Sequence, residues 1–275
     1  MSLPSIRRPA VLLVSSGLRE ARERRKIGLR HLAYRLRMSP ARLSGLELGK
    51  RIAHPSDVSH ILGFLGISGV EYEKFMESAK HVYDDNLVAT DDMRSFSLMW
   101  TYEQMSDRIV EWSPFCLPDL LRLPQHFDRE PGTDEEPACP ELGPLERTVR
   151  REAVLDGSRH YLFLIGEDAL RSAGNEPDAD AQIRSLRSVA SLHHVTVRIV
   201  PTTANNPSPA HAFTLFEDRR TPMAVAFKNV HCTAYLTDRA LLDRYSGTAK
   251  SLQRQALRNA AAADTLADFT WGRAL

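Results

Sequence analysis

The sequence predicts a chain of two parts, an all-α helical bundle followed by a mixed α/β domain. Three observations predict it. Apolar residues recur at helical spacing over roughly the first 80 positions, and short β-branched and aromatic runs alternate with helical stretches in the second half. The charge also divides: residues 1 to 55 hold 13 Lys/Arg against 3 Asp/Glu, leaving 23 against 32 for the rest of a chain of formal net charge +1. A basic head therefore precedes an acidic body, within 275 residues that suit two domains better than one.

In chain order, Leu18 to Ile27 (LREARERRKI) forms an amphipathic basic helix. Leu29, Leu32, Ala33 and Leu36 then recur at i, i+3, i+4 and i+7, which predicts a helix from about Gly28 to Arg37 with small Ala33 where two helices touch. Met38 faces a short break. Ser39 supplies an N-cap hydroxyl and Pro40 a first helical residue whose missing N–H costs nothing, so a second helix starts at Ser39. Leu43 and Leu46 anchor it, Glu47 closes it and Gly49 is a natural stop. Two short helices separated by about three residues have the layout of a helix-turn-helix. Pro55-Ser56 opens a further helix carrying Val58, Ile61, Leu62 and Leu65, and another runs from Ser68 through Val70, Tyr72, Phe75, Met76 and Ala79. Residues 1–83 are thus an all-α helix-turn-helix domain.

Leu32-Ala33, Leu43, Leu46-Glu47 and Gly49 match the LA, I/L and (I/L)-E-x-G positions of the Xre (lambda-repressor-like) family, which the segment resembles over roughly residues 16 to 80. The basic charge and the motif together imply double-stranded DNA as the ligand, since phosphate neutralisation gives affinity for any duplex. Side chains early in the second helix of such modules enter the major groove, which makes Pro40, Ala41, Arg42, Ser44 and Gly45 the candidate base-reading face. Arg42 alone has a strong reading group, able to donate two parallel hydrogen bonds to guanine O6 and N7; the alternative is a surface arginine bonded to Glu47 or to water. Arg24, Arg25, Lys26, Arg30, Ser39, Lys50 and Arg51 are candidates for phosphate, positioning the module without specifying sequence. Arg35 and Arg37 read equally well as solvated. The face departs from the glutamine-rich pattern of familiar repressors, which implies few base-specific contacts.

The acidic, polar segment Tyr83 to Met93 reads as a hinge, giving a linker over residues 84–93 and a second domain over 94–275. A long helix is expected from Ser95 to Trp112, with Leu98, Met99, Tyr102, Met105, Ile109 and Trp112 in one stripe that is either core or a dimer seam. Leu98, Tyr102, Met105 and Trp112, with Asp119 and Arg122, are accordingly the candidate partner or dimer surface. Pro114, Pro118 and Pro124 punctuate the chain before a loop from Asp128 to Pro144, and a charged helix follows over Leu145 to Leu155. His160 to Ile165 and Val195 to Val200 read as strands flanking a helix from Asp178 to Ser191. Phe213 to Phe216, Met223 to Phe227 and Cys232 to Leu236 read as a meander, and helical stretches Asp238 to Tyr245 and Ala249 to Leu266 close the chain.

The composition, 43% hydrophobic and 26% charged, is that of an ordinary globular protein. No apolar run approaches the roughly 18–20 residues of a membrane span, and Ala10 to Val14 is too short for a secretory signal, so a cytoplasmic protein is expected. Cys116, Cys139 and Cys232 show no metal-ligand spacing and are expected to be reduced thiols. No GxSxG, HExxH, Walker A or GxGxxG pattern is present. His193-His194, His211 and His231 with Tyr235 and Asp238 lack a paired base and nucleophile, so no catalytic residue, metal or cofactor is expected.

Laid end to end, Leu117-Pro118-Asp119-Leu120-Leu121, Arg147-x-x-Arg150, Glu167-x-x-Leu170-Arg171 with Gly174, Val200-Pro201, His211-x-Phe213-Thr214-Leu215 and Asp243-Arg244-Tyr245 resemble the actinobacterial WhiJ-like group of toxin–antitoxin-like regulators, from about residue 16 to 268. That resemblance implies a transcriptional regulator of development or specialised metabolism, with a small protein encoded nearby as a partner. Against the group's usual pattern, Asp119 replaces a glycine, Arg122 a glutamine and Leu123 a threonine, Arg151 stands for a glutamine and Lys228 for a glutamate. The expectation is a sequence-specific DNA-binding homodimer whose C-terminal domain senses or dimerises. The alternative is an antitoxin-like protein that binds a small partner and represses its own operon.

Overall fold

Five helices follow from the head's capping residues and apolar spacing: α1 (Pro9–Arg24), α2 (Leu29–Arg35), α3 (Pro40–Glu47), α4 (Pro55–Phe64) and α5 (Gly69–Lys80). The computed structural model of the chain describes residues 7–90, 95–123, 144–174, 179–202, 211–229 and 232–257. Prolines open α1, α3 and α4 at a first-turn position, where no backbone donor is lost. Leu18, Leu32, Leu43, Leu46, Ile61 and Leu62 are fully buried and form the bundle core. Helix α1 starts nine residues before the expected Leu18, because Ala10 to Val14 is buried as its first turns. That short apolar run belongs to the core of the head.

The chain divides into two compact units, Met1–Gln104 with His231–Leu242, and Met105–Val230 with Asp243–Leu275. In the first, the bundle is followed by strand β1 (Asn86–Thr90) and helix α6 (Ser95–Met105). Strand β1 corrects the linker reading of residues 84–93. Its acidic neighbours suggested a hinge, but Leu87 and Ala89 point inward in strict alternation while Asn86, Val88 and Thr90 face out. It pairs antiparallel with β7 (Cys232–Leu236), Val88 opposite Ala234.

The long helix expected to Trp112 ends at Met105, and Arg108–Ser113 forms strand β2. Ile109, Val110 and Trp112 are all buried there, and β-branched Ile-Val favours the pleated conformation. The second unit contains α7 (Pro144–Leu155), β3 (His160–Gly166), α8 (Glu167–Gly174), α9 (Ala179–Ala190), β4 (Val195–Val200), β5 (Phe213–Asp218) and β6 (Thr221–Lys228). Its strands run in the order β6-β5-β2-β3-β4. The pairs β2·β3 and β3·β4 are parallel, whereas β2·β5 and β5·β6 are antiparallel. Buried strand β3 reads as an unbroken apolar run, as a strand covered on both faces must.

The closing helix α10 (Arg239–Gln255) is one helix where two stretches were expected. Pro124, Cys139, His231, most of the Asp128–Pro144 loop and positions beyond 257 lie outside the described residues. Cys232 is a free, half-buried thiol and Cys116 is disulfide-bonded, which corrects the expectation of three reduced cysteines. Among the described residues no helix is long and apolar enough to cross a membrane, and no three His, Cys, Asp or Glu side chains gather as a metal site.

Candidate nucleic-acid interface

The turn between α2 and α3 is built by backbone hydrogen bonds around one left-handed residue. Arg37 has φ 53°, its N–H donates to the Tyr34 carbonyl at 3.1 Å, and the Met38 N–H reaches back to the Ala33 carbonyl at 3.0 Å. These two bonds satisfy the orphan carbonyls that end α2 and reverse the chain within three residues. Ser39 then caps α3, its Oγ accepting from the Arg42 N–H at 3.1 Å. Gly49, at φ 65°, ends α3 in the same left-handed conformation, with its N–H on the Leu46 carbonyl. Helix α1 terminates likewise at Lys26, φ 55°. The sequence marks Gly49 but carries no signal for the two basic residues, since a side chain in that region is uncommon.

Helix α3 presents Pro40, Ala41 and Arg42 outward, leaves Ser44 half-buried and turns Leu43 and Leu46 inward. Gly45 is buried, which corrects its place in the base-reading set. A Cβ there would meet the Arg51 Cδ at 3.0 Å, so its role is to seat the Arg51 stem. Arg42 is half exposed, and its Nη2 donates to both carboxylate oxygens of Asp57, at 2.8 and 3.1 Å. Glu47 is not its partner. Glu47 lies buried against Arg22, whose Nε and Nη2 donate to the two carboxylate oxygens at 2.8 and 2.9 Å while Nη1 donates to the Ile27 carbonyl at 3.0 Å. That fork ties α1 to the end of α3, and its hydrogen bonds hold the Arg22 guanidinium above its ordinary pKa. Sequence reading missed both Asp57 and Arg22. Asp57 had one signal, an acid in the first turn after a helix-opening proline.

Of the phosphate candidates, Lys26, Arg30, Ser39, Lys50 and Arg51 are exposed and Arg25 is half-buried. Arg24 is exposed and donates from Nη2 to the Glu71 carboxylate on α5, which raises its pKa. Arg35 lies over the Phe64 ring at 5.3 Å, a cation–π contact that fixes α2 on α4. Tyr34, 80% exposed on α2, is an aromatic that the sequence reading did not single out.

The expected partner surface is largely interior. Leu98, Tyr102 and Trp112 are buried within 2% of complete, so they form core, and Met105 is half-buried. Tyr102 stacks on Tyr235 at 5.8 Å and donates from its hydroxyl to the Arg7 carbonyl at 2.7 Å. Asp119 and Arg122 are half-buried at a 3-10 turn, Asp119–Leu121. The positions that departed from the expected pattern converge there. Asp119 lies 3.6 Å from Arg122 and 3.9 Å from Lys228, and Arg151 donates to the Arg122 carbonyl at 3.2 Å.

Several polar residues of the second unit make defined contacts. Glu167 accepts from the Thr202 N–H at 3.1 Å and from Arg171 at 2.7 Å, which lowers its carboxyl pKa and ties the end of β3 to the end of β4. His194 is buried, with Nε2 on the Val154 carbonyl at 2.7 Å. His211 contacts the Tyr245 hydroxyl at 3.3 Å and the Phe227 ring at 5.4 Å.

The family described as a domain of unknown function, DUF5753, matches residues 96–268, and a helix-turn-helix domain matches residues 16–75. No curated protein matches the chain. Among solved structures it is similar to TrmBL2, an archaeal chromatin protein described as showing a novel mode of DNA binding. The identity is 10% over 74% of this chain and 72% of that one, with a TM-score of 0.31, a likeness too slight to carry an inference.

Proposed function

Given that the chain belongs to the DUF5753 family and carries a helix-turn-helix domain ahead of that domain, we propose that it is a cytoplasmic, sequence-specific transcriptional regulator of the Xre type. The observation that carries this reading is the start of α3, where Pro40, Ala41 and Arg42 stand exposed on a capped helix set against α2 by a three-residue turn. Residues 1–83 bind the duplex. Lys26, Arg30, Lys50 and Arg51 hold phosphates and Arg42 supplies the base discrimination. Residues 94–275 pair two copies and receive a signal. One such module buries too little surface for tight binding alone, so a homodimer on a palindrome with half-sites about 34–36 Å apart follows.

Mapping the full chain on its own genome, with transcript levels compared between wild-type and deletion strains, tests this reading. Bound promoters whose transcripts change on deletion are expected. Binding scattered without a motif, or bound promoters with unchanged transcripts, would count against a regulator. A second reading, an antitoxin-like protein that holds a small partner encoded nearby, is supported by Phe115, 53% exposed close in sequence to the Asp119–Arg122 turn. Co-purification of a small protein, lost on Phe115→Asp, is its expected outcome.

A further inference from the structure

Arg42 leaves the first turn of α3 and meets Asp57, in the first turn of α4, with one guanidinium nitrogen on both carboxylate oxygens. Asp57 is the more enclosed partner, its side chain 20% exposed against 50% for Arg42. Its backbone is fixed on both sides. Val58 beside it is fully buried, and His54 caps the helix by accepting from the Ser56 N–H. A carboxylate in a helix's first turn is also favoured by the helix dipole, which supports the anchor's place.

An arginine carries five N–H groups in a rigid fork. The bond to Asp57 uses one hydrogen on Nη2. The other Nη2 hydrogen and both on Nη1 remain for the two parallel donations that guanine O6 and N7 demand. A free arginine would sample many rotamers and follow the nearest phosphate. The carboxylate removes that freedom and repels phosphate from the same spot, a penalty for wrong docking as well as a support for right docking.

We propose that Asp57 is a specificity-determining positioning residue, which aims the Arg42 guanidinium at a guanine and discourages its use as a phosphate anchor. This rests on the reading of Arg42 as the base contact. Asp57 touches no base in this scheme; it acts through Arg42.

The test uses the full chain as wild type, Asp57→Asn, Asp57→Glu and Arg42→Ala, each checked for folding by circular dichroism. Affinities are measured at one salt concentration for the selected operator, for duplexes carrying each other base at the position Arg42 reads, and for unrelated DNA. Asp57→Asn is expected to lose about ten-fold of the preference for guanine at that one position and to bind unrelated DNA more tightly, and Asp57→Glu to recover part of the preference. Uniform weakening on every duplex would make Asp57 a helix-stabilising residue only and overturn the proposal. So would an unchanged preference in Asp57→Asn while Arg42→Ala loses it. If Arg42→Ala keeps the preference too, the reading of Arg42 itself fails.

Discussion

Arg22 and Glu47 lie 25 positions apart in sequence, yet their fork is among the most enclosed ion pairs described in the head. Removing one partner leaves a buried charge uncompensated, at about 3–5 kcal/mol. Arg22→Ala is therefore expected to lower the urea midpoint sharply, and Arg22→Met with Glu47→Leu to regain most of the loss. Arg37 gives the opposite sign: its left-handed backbone strains any side chain, so Arg37→Gly is expected to add about 0.5–1 kcal/mol in thermal unfolding. His81, its pKa raised by a hydrogen bond to Asp84 and then by Glu77, stabilises the end of α5 most fully below its ordinary value of 6.5. That contribution fades as pH climbs through the raised value. At a site 42% exposed it amounts to a few tenths of a kcal/mol at most, and an NMR titration of the ring checks the direction. At this scale the sequence shows which residues are charged, and helical spacing shows which face them outward. It does not show which arginine turns to a distant carboxylate. Arg22 is one basic residue in a run of them, and only the packing of α1 against α3 separates it from Arg24 and Arg25.

Helices α2 to α5 were legible because each carries its own punctuation. Ser39-Pro40, Gly49 and Pro55 act within one turn of the helix they bound, so no tertiary knowledge is needed. Strand β1 and the end of α6 were not legible. Asn86–Thr90 is too short to outweigh its acidic neighbours, and the apolar residues from Leu98 to Trp112 satisfy a helical spacing that two elements share by chance. The sheet offers two sharp tests of element geometry. A Cβ on Gly166 would sit 2.2 Å from the Pro114 carbonyl oxygen, which is backbone and cannot swing aside. Gly166→Ala is expected to cost more than about 3 kcal/mol or to abolish folding, read by chemical denaturation. The hairpin between β5 and β6 turns on Arg219 and Arg220, both at positive φ, 49° and 63°, as a two-residue hairpin loop demands. Replacing them with Asn-Gly is expected to raise the melting temperature, since that pair adopts the same backbone with less strain.

Across the whole molecule, the basic head and the acidic remainder were visible from composition, and with them the class of ligand. The proposed base-reading pair was only partly visible: the sequence isolated Arg42 on α3 but not the Asp57 that holds it. Affinity for unrelated duplex is expected to fall steeply with salt, and Lys50→Ala to reduce the slope of log K against log salt by about one without changing sequence preference. The central claim is that the head reads sequence and does not merely adhere to phosphate. Selection of genomic fragments on purified wild-type protein and on Arg42→Ala, in parallel and at one salt concentration, tests it most directly. One palindromic motif recovered by the wild type and lost or relaxed in the variant is the predicted result. Equal recovery of DNA by both proteins, without a motif, would contradict it.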